Sequence, residues 1–344
     1  MSAPELAAVA QAMVAPGKGI LAADESTGTI EKRFAGIKVE STEENRRAYR
    51  DMLFTTKGLG QYISGVILYD ETIRQKSANG ALFVELLANN GILPGIKVDT
   101  GAKDLALCAG EKVTEGLDNL AKRCAEYAKM GAKFAKWRAV ISIGQYIPSS
   151  TCIAASAHAL GRYAAICQAA GLVPIVEPEV LMDGDHTVHR CEEVTEWTLN
   201  AVYEALYLNR VTLEHSILKP SMVIAGKDCT EQAGVEEVAE RTVRILKRTV
   251  PAAVAGIVFL SGGQSDEVAT AHLNAMNQIF AYRLPWPLSF SYGRALQQPS
   301  LKAWKGAAAN VAAAQSALLH RAHMNSLACL GRYSANEEKQ ALAA

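Results

Sequence analysis

Short apolar segments recur along the chain and are separated by longer segments in which apolar residues have helical spacing. Eight such segments are present, and their starts lie roughly 30 to 45 residues apart, the length of a strand, a crossover helix and two loops. Because strands that alternate with helices pair in parallel, the pattern predicts a parallel sheet. The segments are residues 19–24, 62–70, 92–99, 132–140, 172–180, 215–223, 256–262 and 288–292.

The segments between the predicted strands carry helix signals. Ser41 and Glu44 have the spacing of a capping box, with Ser41 at the N-cap and Glu44 at the third helical position. Residues 151–170 and 192–209 are rich in Ala and Leu, and their apolar positions repeat about every 3.6 residues. An amphipathic helix is also predicted before the first strand, where the spacing i, i+3, i+4, i+7 is filled by Leu6, Val9, Ala10 and Met13.

The connections predict how these elements assemble. No Pro/Gly/Ser-rich linker or change of composition divides the chain, so we expect one domain over residues 1–344. The fold class is α/β, and a single closed (β/α)8 TIM barrel with added N- and C-terminal helices is favoured over two doubly wound halves. Residues 334–344 are polar and Ala-rich, which predicts a flexible tail.

Composition and charge exclude several classes of protein. The 35 Lys and Arg residues balance 35 Asp and Glu residues, which argues against a nucleic-acid partner. No apolar stretch reaches the length of about 18 residues that a membrane span needs, and the N-terminus lacks the features of a signal or transit peptide. The seven cysteines include no C-x-x-C pair, which predicts reduced thiols and a cytoplasmic location.

Charged residues lie near the carboxyl ends of five predicted strands, although a buried parallel strand is normally apolar. One interpretation is that they form structural ion pairs. The other is an active site, because barrel enzymes assemble their chemistry from the carboxyl ends of several strands. Five strands with such residues favour the second interpretation. The residues are Asp24, Lys97, Lys136, Arg138, Glu177, Glu179 and Lys219.

The last two strand units carry phosphate-binding signals. Segments 261–264 (SGGQ) and 291–294 (SYGR) each follow an apolar strand, where loops of this fold commonly hold phosphate. Arg294 adds a guanidinium that binds oxyanions bidentately. At the expected mouth of the barrel, cations exceed carboxylates by two, and Arg33 raises the excess to three. The sequence therefore predicts an anionic substrate with more than one phosphate.

The same crowding of cations bears on mechanism, because a partly desolvated lysine among other cations becomes a usable amine nucleophile. Lys219 is the best candidate, with Glu177 as the proton carrier that imine formation requires. A metal site in the loop Asp183 to His189 is an alternative, but this loop lacks a recognised ligand spacing. We therefore expect neither metal nor cofactor.

Seven motifs together resemble those of class I fructose-bisphosphate aldolases, in order and with matching spacing from about Ala15 to Tyr333. The resemblance implies a TIM barrel in which Lys219 forms a Schiff base with the substrate ketone and Glu177 serves as acid and base. It also implies that Asp24 deprotonates the C4 hydroxyl, with Lys136 and Glu179 supporting it. The motifs are LAADESTG (21–28), GIKVD (95–99), FAKWR (134–138), PIVEPE (174–179), LKPSMV (218–223), LSGGQS (260–265) and SYGRALQ (291–297).

The resemblance further implies two sets of substrate-binding residues. The phosphate-binding loops match Ser261, Gly262, Gly263, Ser291, Gly293 and Arg294. The second phosphate or the pocket wall matches Ser26, Arg33, Arg46, Lys97 and Arg138.

The implied reaction is the reversible cleavage of fructose 1,6-bisphosphate to dihydroxyacetone phosphate and glyceraldehyde 3-phosphate, in glycolysis and gluconeogenesis, by a homotetramer. The chain departs from long-armed family members because it ends in Ala344 rather than a tyrosine. That departure leaves the preference between the bisphosphate and fructose 1-phosphate open. A sugar monophosphate substrate and a non-catalytic binding role are the competing hypotheses.

Overall fold

Eight parallel strands close into a barrel in the computed structural model, which describes residues 1–340. Each strand pairs with its neighbours in chain order, and the last strand pairs with the first. All eight predicted strands are therefore confirmed, and so is the barrel. The strands are β1 Gly19–Ala22, β2 Ile63–Leu68, β3 Leu93–Lys97, β4 Phe134–Ile141, β5 Val173–Val180, β6 Ile217–Leu218, β7 Gly256–Phe259 and β8 Leu288–Tyr292.

Helices surround the barrel, and the long ones bury one face against the strands. Within residues 1–340 none of them has both the length and the apolar character needed to cross a bilayer. They are α1 Ala3–Met13, α2 Thr27–Ala35, α3 Glu43–Phe54, α4 Asp70–Ile73, α5 Phe83–Asn89, α6 Leu120–Lys129, α7 Ser150–Ala169, α8 Val188–Leu208, α9 Val235–Thr249, α10 Asp266–Ile279, α11 Arg294–Trp304, α12 Val311–Cys329 and α13 Ala335–Gln340.

The end of the barrel where the strands begin is filled by apolar side chains. Phe134 at the start of β4 is fully buried, and its ring leaves no room for a side chain at Gly95, where a Cβ atom would lie 2.2 Å from the ring. The predicted N-terminal helix α1 packs Met13 into the same cluster, and Ser64 at the start of β2 donates a hydrogen bond of 2.6 Å to the Met13 carbonyl oxygen. This end is thus closed, which leaves the opposite end for a site.

Three local features differ from the prediction. Helix α3 begins at Glu43 with Thr42 as its N-cap, whose hydroxyl accepts from the Asn45 amide at 3.1 Å, so the predicted cap at Ser41 is wrong by one residue. A two-stranded antiparallel hairpin, Ala102–Asp104 with Lys112–Thr114, follows β3 and was not predicted. The segment expected to be flexible contains helix α13, while residues 341–344 lie outside the described residues.

Candidate active site

A cavity of about 390 Å³ opens at the carboxyl ends of the barrel strands. All but one of the site residues predicted from the sequence line it, and the exception is Arg46. The predicted residues found in the cavity are Asp24, Ser26, Arg33, Lys97, Lys136, Arg138, Glu177, Glu179, Lys219, Ser261, Gly262, Gly263, Ser291, Gly293 and Arg294.

Arg46 is held elsewhere by a carboxylate. Its Nε and Nη2 atoms donate to the two carboxylate oxygens of Glu71 at 2.8 and 2.6 Å. This hydrogen bonding is the main reason that the pKa of Arg46 is raised above its usual value. A bidentate arrangement of this kind satisfies the guanidinium where it is. The structure therefore does not bring Arg46 to the site.

Four charged side chains form a continuous chain across the floor of the cavity. The Lys136 ammonium lies 3.0 Å from Asp24 Oδ2 and 3.1 Å from Glu177 Oε2. The other oxygen of Glu177 lies 3.2 Å from Lys219 Nζ. Lys136, Glu177 and Lys219 are all buried. Glu177 thus connects the two lysines, and a proton can pass between Glu177 and Lys219 without leaving the site.

Two of these four side chains, Asp24 and Lys136, have strongly shifted pKa values. Burial alone disfavours the Asp24 carboxylate, but Lys136, Lys219 and Lys97 outweigh burial and hold the pKa of Asp24 well below its usual value. Burial likewise disfavours the Lys136 ammonium, and Asp24 and Glu177 outweigh it, so the pKa of Lys136 lies well above its usual value. Asp24 is therefore a carboxylate, and able to accept a proton, over the whole physiological pH range.

Two further pairs flank these four side chains, and neither was predicted. Arg138 on β4 pairs with Glu179 on the neighbouring strand β5. Lys97 lies 3.3 Å from Asp99 Oδ1, and Asp99 also accepts a hydrogen bond of 3.1 Å from the Gly101 amide. Asp99 stands two positions after Lys97 in the motif GIKVD (95–99). That spacing could have predicted Asp99 as a residue of the site.

Glu25 is the second acidic residue that sequence reasoning missed. Its carboxylate is buried and accepts from Arg33, from Arg50 Nη2 at 2.6 Å and from Gln297 Nε2 at 2.8 Å. With Glu25 and Asp99 included, six cationic and five anionic side chains line the cavity. The expected excess of three positive charges is therefore wrong, and the excess is one.

The loop after β7 has the geometry of an anion-binding turn. Gly262 and Gly263 both have positive φ angles, 56° and 89°, which side chains with a Cβ atom rarely adopt. Gln264 fixes this loop to helix α10, because its Oε1 atom accepts from His272 Nδ1 at 2.6 Å. Burial lowers the pKa of His272 to about 4, so the ring is neutral and donates this bond.

The end of β8 and the start of α11 supply groups that have no hydrogen-bond or ion-pair partner among the described residues. The Ser291 hydroxyl is buried and lacks a hydrogen bond within residues 1–340. Gly293 is the N-cap of helix α11, and Arg294 opens that helix with an exposed guanidinium. A buried hydroxyl, a helix N-terminus and a guanidinium beside a second glycine loop form a suitable receptor for a phosphate.

Two residues of the alternative metal loop contact charged side chains outside it. Asp183 accepts from Lys227 Nζ at 2.6 Å, and His189 lies 3.4 Å from Glu193. Over the part of the chain that the structure describes, no group of three or more His, Cys, Asp or Glu side chains is arranged to hold a metal ion. Asp183 and His189 thus have other partners, whereas both ring nitrogens of His186 lack a hydrogen-bond partner within residues 1–340.

Comparisons with known proteins agree with this geometry. Residues 5–344 match the model of the family described as fructose-bisphosphate aldolase class-I. The chain is 63% identical over 334 residues to "Probable fructose-bisphosphate aldolase class 1" of Xanthomonas campestris pv. campestris, covering 97% of this chain and 99% of that one. It is 56% identical to "Fructose-bisphosphate aldolase 4, cytosolic" of Arabidopsis thaliana, covering 97% of this chain and 85% of that one.

A solved structure extends the comparison to three dimensions. The Plasmodium falciparum fructose-bisphosphate aldolase, crystallised with TRAP and a small-molecule inhibitor, superposes with a TM-score of 0.94 at 53% identity. The match covers 96% of this chain and 95% of that one. Since the family model, the relatives and the barrel with its lysine and carboxylate chain all agree, this chain belongs to the class I fructose-bisphosphate aldolase family.

Proposed function

We propose that this protein catalyses the reversible aldol cleavage of fructose 1,6-bisphosphate through a Schiff base on Lys219, without a metal ion. The products are dihydroxyacetone phosphate and glyceraldehyde 3-phosphate. One observation carries the proposal: the Lys219 ammonium lies buried, 3.2 Å from the Glu177 carboxylate, in a cavity that also holds the predicted phosphate-binding groups. An amine beside a carboxyl group of this kind is what imine chemistry requires.

The first half of the reaction uses Lys219 and Glu177. Glu177 takes a proton from the Lys219 ammonium, and the neutral amine adds to the C2 carbonyl of the open-chain sugar. The carbinolamine then loses its hydroxyl group as water when Glu177 returns a proton to it, which leaves a positively charged imine. Because Glu177 contacts both Lys219 and Lys136, it can serve as base and then as acid within one site.

The second half uses Asp24 and Lys136. Asp24 accepts the proton of the C4 hydroxyl, the C3–C4 bond breaks, and its electron pair moves to the imine nitrogen to give an enamine. Glyceraldehyde 3-phosphate leaves with the new carbonyl group. The Lys136 ammonium at 3.0 Å from Asp24 favours the carboxylate before the proton transfer. Protonation of the enamine at C3 and hydrolysis of the imine release dihydroxyacetone phosphate and free Lys219.

Two groups of cavity residues support binding of the two phosphates. Ser261, Gly262, Gly263, Ser291, Gly293 and Arg294 form the proposed site for one of them, and Ser26 and Lys97 are proposed to bind the other. Arg33 lies beside the first group, because its Nη2 atom is 3.6 Å from where a Cβ atom at Gly293 would be. Arg138 and Glu179 form part of the cavity wall. Arg294 has no ion pair within residues 1–340, whereas Arg33 is already paired with Glu25. Arg294 is therefore the one that is ready to receive an anion.

The cellular setting of the proposal rests on the relatives. Three of them are named cytosolic or cytoplasmic aldolases, two from Arabidopsis thaliana and one from Spinacia oleracea, which supports a cytoplasmic enzyme of glycolysis and gluconeogenesis. A homotetramer is proposed from the family resemblance. Exposed apolar side chains on α8, including Tyr207 and Leu208, are consistent with a contact between subunits. Light scattering coupled to size-exclusion chromatography measures the subunit number.

Borohydride trapping tests the function directly. The protein is incubated with fructose 1,6-bisphosphate and borohydride in the presence of EDTA, and the modified peptide is identified by mass spectrometry. We expect a stable adduct on Lys219, unaffected by EDTA, and no adduct in Lys219→Ala. The matched control is Lys129→Met, which removes an exposed lysine outside the cavity and should retain the adduct and the turnover. Turnover that EDTA abolishes, or turnover without an adduct on Lys219, would overturn the proposal.

A further inference from the structure

The end of the described chain contacts helix α12 through one buried carboxylate. Glu338 in helix α13 is buried, although its neighbours in that helix are exposed. Its Oε1 atom accepts from His320 Nε2 at 2.7 Å and from Arg321 Nη1, and its Oε2 atom accepts from the Tyr333 hydroxyl at 2.9 Å. A polar segment of this composition is normally solvated, so three hydrogen bonds to one buried carboxylate indicate specific docking.

Arg321 continues this contact from helix α12 to helix α10. Its side chain is buried, and its Nη2 atom donates to the Asp266 carbonyl oxygen at 3.2 Å and to the Thr270 hydroxyl at 2.6 Å. Its only other carboxylate within residues 1–340 is that of Asp266, at 4.0 Å. A buried guanidinium requires a close counter-charge, and Glu338 provides it. Glu338 thus keeps Arg321 in place against the first turn of α10.

The first turn of α10 in turn carries the loop that follows β7. Ser265 is the N-cap of α10, and its hydroxyl accepts from the Val268 amide at 3.2 Å. The side chain of the preceding residue, Gln264, is fixed at both of its polar atoms. Its Oε1 atom accepts a hydrogen bond from His272 in α10, and its Nε2 atom donates to the Ser261 carbonyl oxygen at 3.0 Å. A shift of the first turn of α10 therefore moves the loop that contains Ser261.

We propose that Glu338 is a positioning residue for the reaction: by holding Arg321 against α10, it sets the geometry of the phosphate-binding loop 261–264. This inference rests on the proposed function, which identifies the anion bound by this loop as a phosphate group of the substrate.

Electrostatics support a permanent contact rather than a pH-controlled one. Burial alone disfavours the ionised Glu338, but His320, Arg321 and Tyr333 outweigh burial and lower the pKa of Glu338 to about 2. The groups that face it from α12 and from the preceding turn are these three. The carboxylate is therefore ionised at neutral and mildly acidic pH, and its contact with Arg321 persists over that range.

Glu338→Ala tests the proposal, with Glu337→Ala as the matched control. Glu337 is the adjacent residue of the same helix, carries the same charge and is exposed. Three quantities are measured on the full chain: kcat and KM for fructose 1,6-bisphosphate, the dissociation constant of inorganic phosphate by calorimetry, and amide hydrogen exchange in residues 261–270. For Glu338→Ala we expect KM and the phosphate dissociation constant to rise three- to tenfold, kcat to stay within twofold, and exchange to accelerate.

The conservative variants separate positioning from mere folding. Glu338→Gln retains an acceptor and should lie between the unaltered protein and Glu338→Ala. Tyr333→Phe removes only the hydrogen bond to Glu338 Oε2 and should raise KM less than twofold. If Glu338→Ala does not fold, Glu338→Gln and Tyr333→Phe are measured in its place. The proposal is overturned if KM and phosphate affinity are unchanged in Glu338→Ala or Glu338→Gln, or if Glu337→Ala changes them equally. The phosphate titration and hydrogen exchange do not depend on turnover. A failure of the Glu338 proposal can therefore be told apart from a failure of the proposed function, which the borohydride test reports.

Discussion

Replacing Lys136 with methionine tests the charge chain at its centre. The substitution keeps the length of the side chain and removes the ammonium that lies between Asp24 and Glu177. We expect kcat for fructose 1,6-bisphosphate to fall about 10³-fold, in the range found when a general base or a charge-stabilising group is lost. We also expect the pKa of Asp24 to rise, because Lys136 is the largest of the charges that hold it down.

The magnitude follows from the distances. At an effective dielectric constant of about 20, a pair of unit charges near 3 Å interacts by about 5 kcal/mol. Lys136 makes two such contacts, at 3.0 and 3.1 Å. Removing one group that stabilises charge in the transition state costs about 2.7 to 4 kcal/mol. A loss of about 4 kcal/mol of transition-state stabilisation corresponds to the expected rate factor of about 10³.

Initial rates of cleavage, coupled to detection of the triose phosphates, measure kcat from pH 5 to pH 9 in the unaltered protein, Lys136→Met, Asp24→Asn and the double variant. Lys227→Met is the matched control, because it removes an exposed lysine paired with Asp183 and should change kcat less than twofold. Since Asp24 and Lys136 act as one unit, the double variant should be little worse than either single one. A kcat above one tenth of the original in Lys136→Met, or multiplicative losses in the double variant, would refute the reasoning.

Three further predictions concern binding and stability. Arg294→Ala is expected to raise KM for the bisphosphate about tenfold with little change in kcat, since one charge-assisted hydrogen bond is lost; initial rates decide this, and a loss confined to kcat would contradict it. Because burial lowers the pKa of His272 to about 4 from 6.5, stability should fall by up to about 3 kcal/mol between pH 6.5 and pH 4. In urea titrations, His272→Asn should show a weaker pH dependence than the unaltered protein, and an identical one would contradict the assignment. Gly95→Ala should destabilise the fold by about 3 kcal/mol or more, since its Cβ would meet the Phe134 ring at 2.2 Å; an unchanged melting temperature would show that the ring gives way freely.

The barrel was predictable because its signal repeats. Each strand unit carries its own apolar segment, helix and turn, so an error at one boundary leaves the count of eight unchanged. The capping box shows the limit of such local reasoning: Ser41 and Thr42 both suit the N-cap, and only the backbone geometry at Thr42 decides between them. The hairpin Ala102–Asp104 with Lys112–Thr114 was missed because its two strands have three residues each and are largely exposed, so they carry no apolar pattern.

The site was predictable where a charged residue interrupts an apolar strand, as Lys136 and Glu177 do. The sequence gives no such signal for partners that are distant along the chain. Arg50 reaches Glu25 from helix α3, and Glu338 reaches Arg321 across a turn and a helix. For the same reason Arg46 was assigned to the pocket, since nothing in the local sequence shows that Glu71 holds it.

Pairing of the cavity cations, rather than their number, decides how a second phosphate binds. Lys97 lies 3.3 Å from Asp99 Oδ1, so a phosphate that binds Lys97 competes with Asp99 for its ammonium, whereas Asp99 keeps the Gly101 amide as a partner afterwards. Since one charged hydrogen bond replaces another, the second phosphate should add only about 1 to 2 kcal/mol of binding, which is a KM about tenfold lower for fructose 1,6-bisphosphate than for fructose 1-phosphate. Parallel initial-rate measurements on the two sugars decide this. A ratio above about 10³ would show that Lys97 is not restrained by Asp99 in solution, and a ratio of one would show that Lys97 does not reach the phosphate.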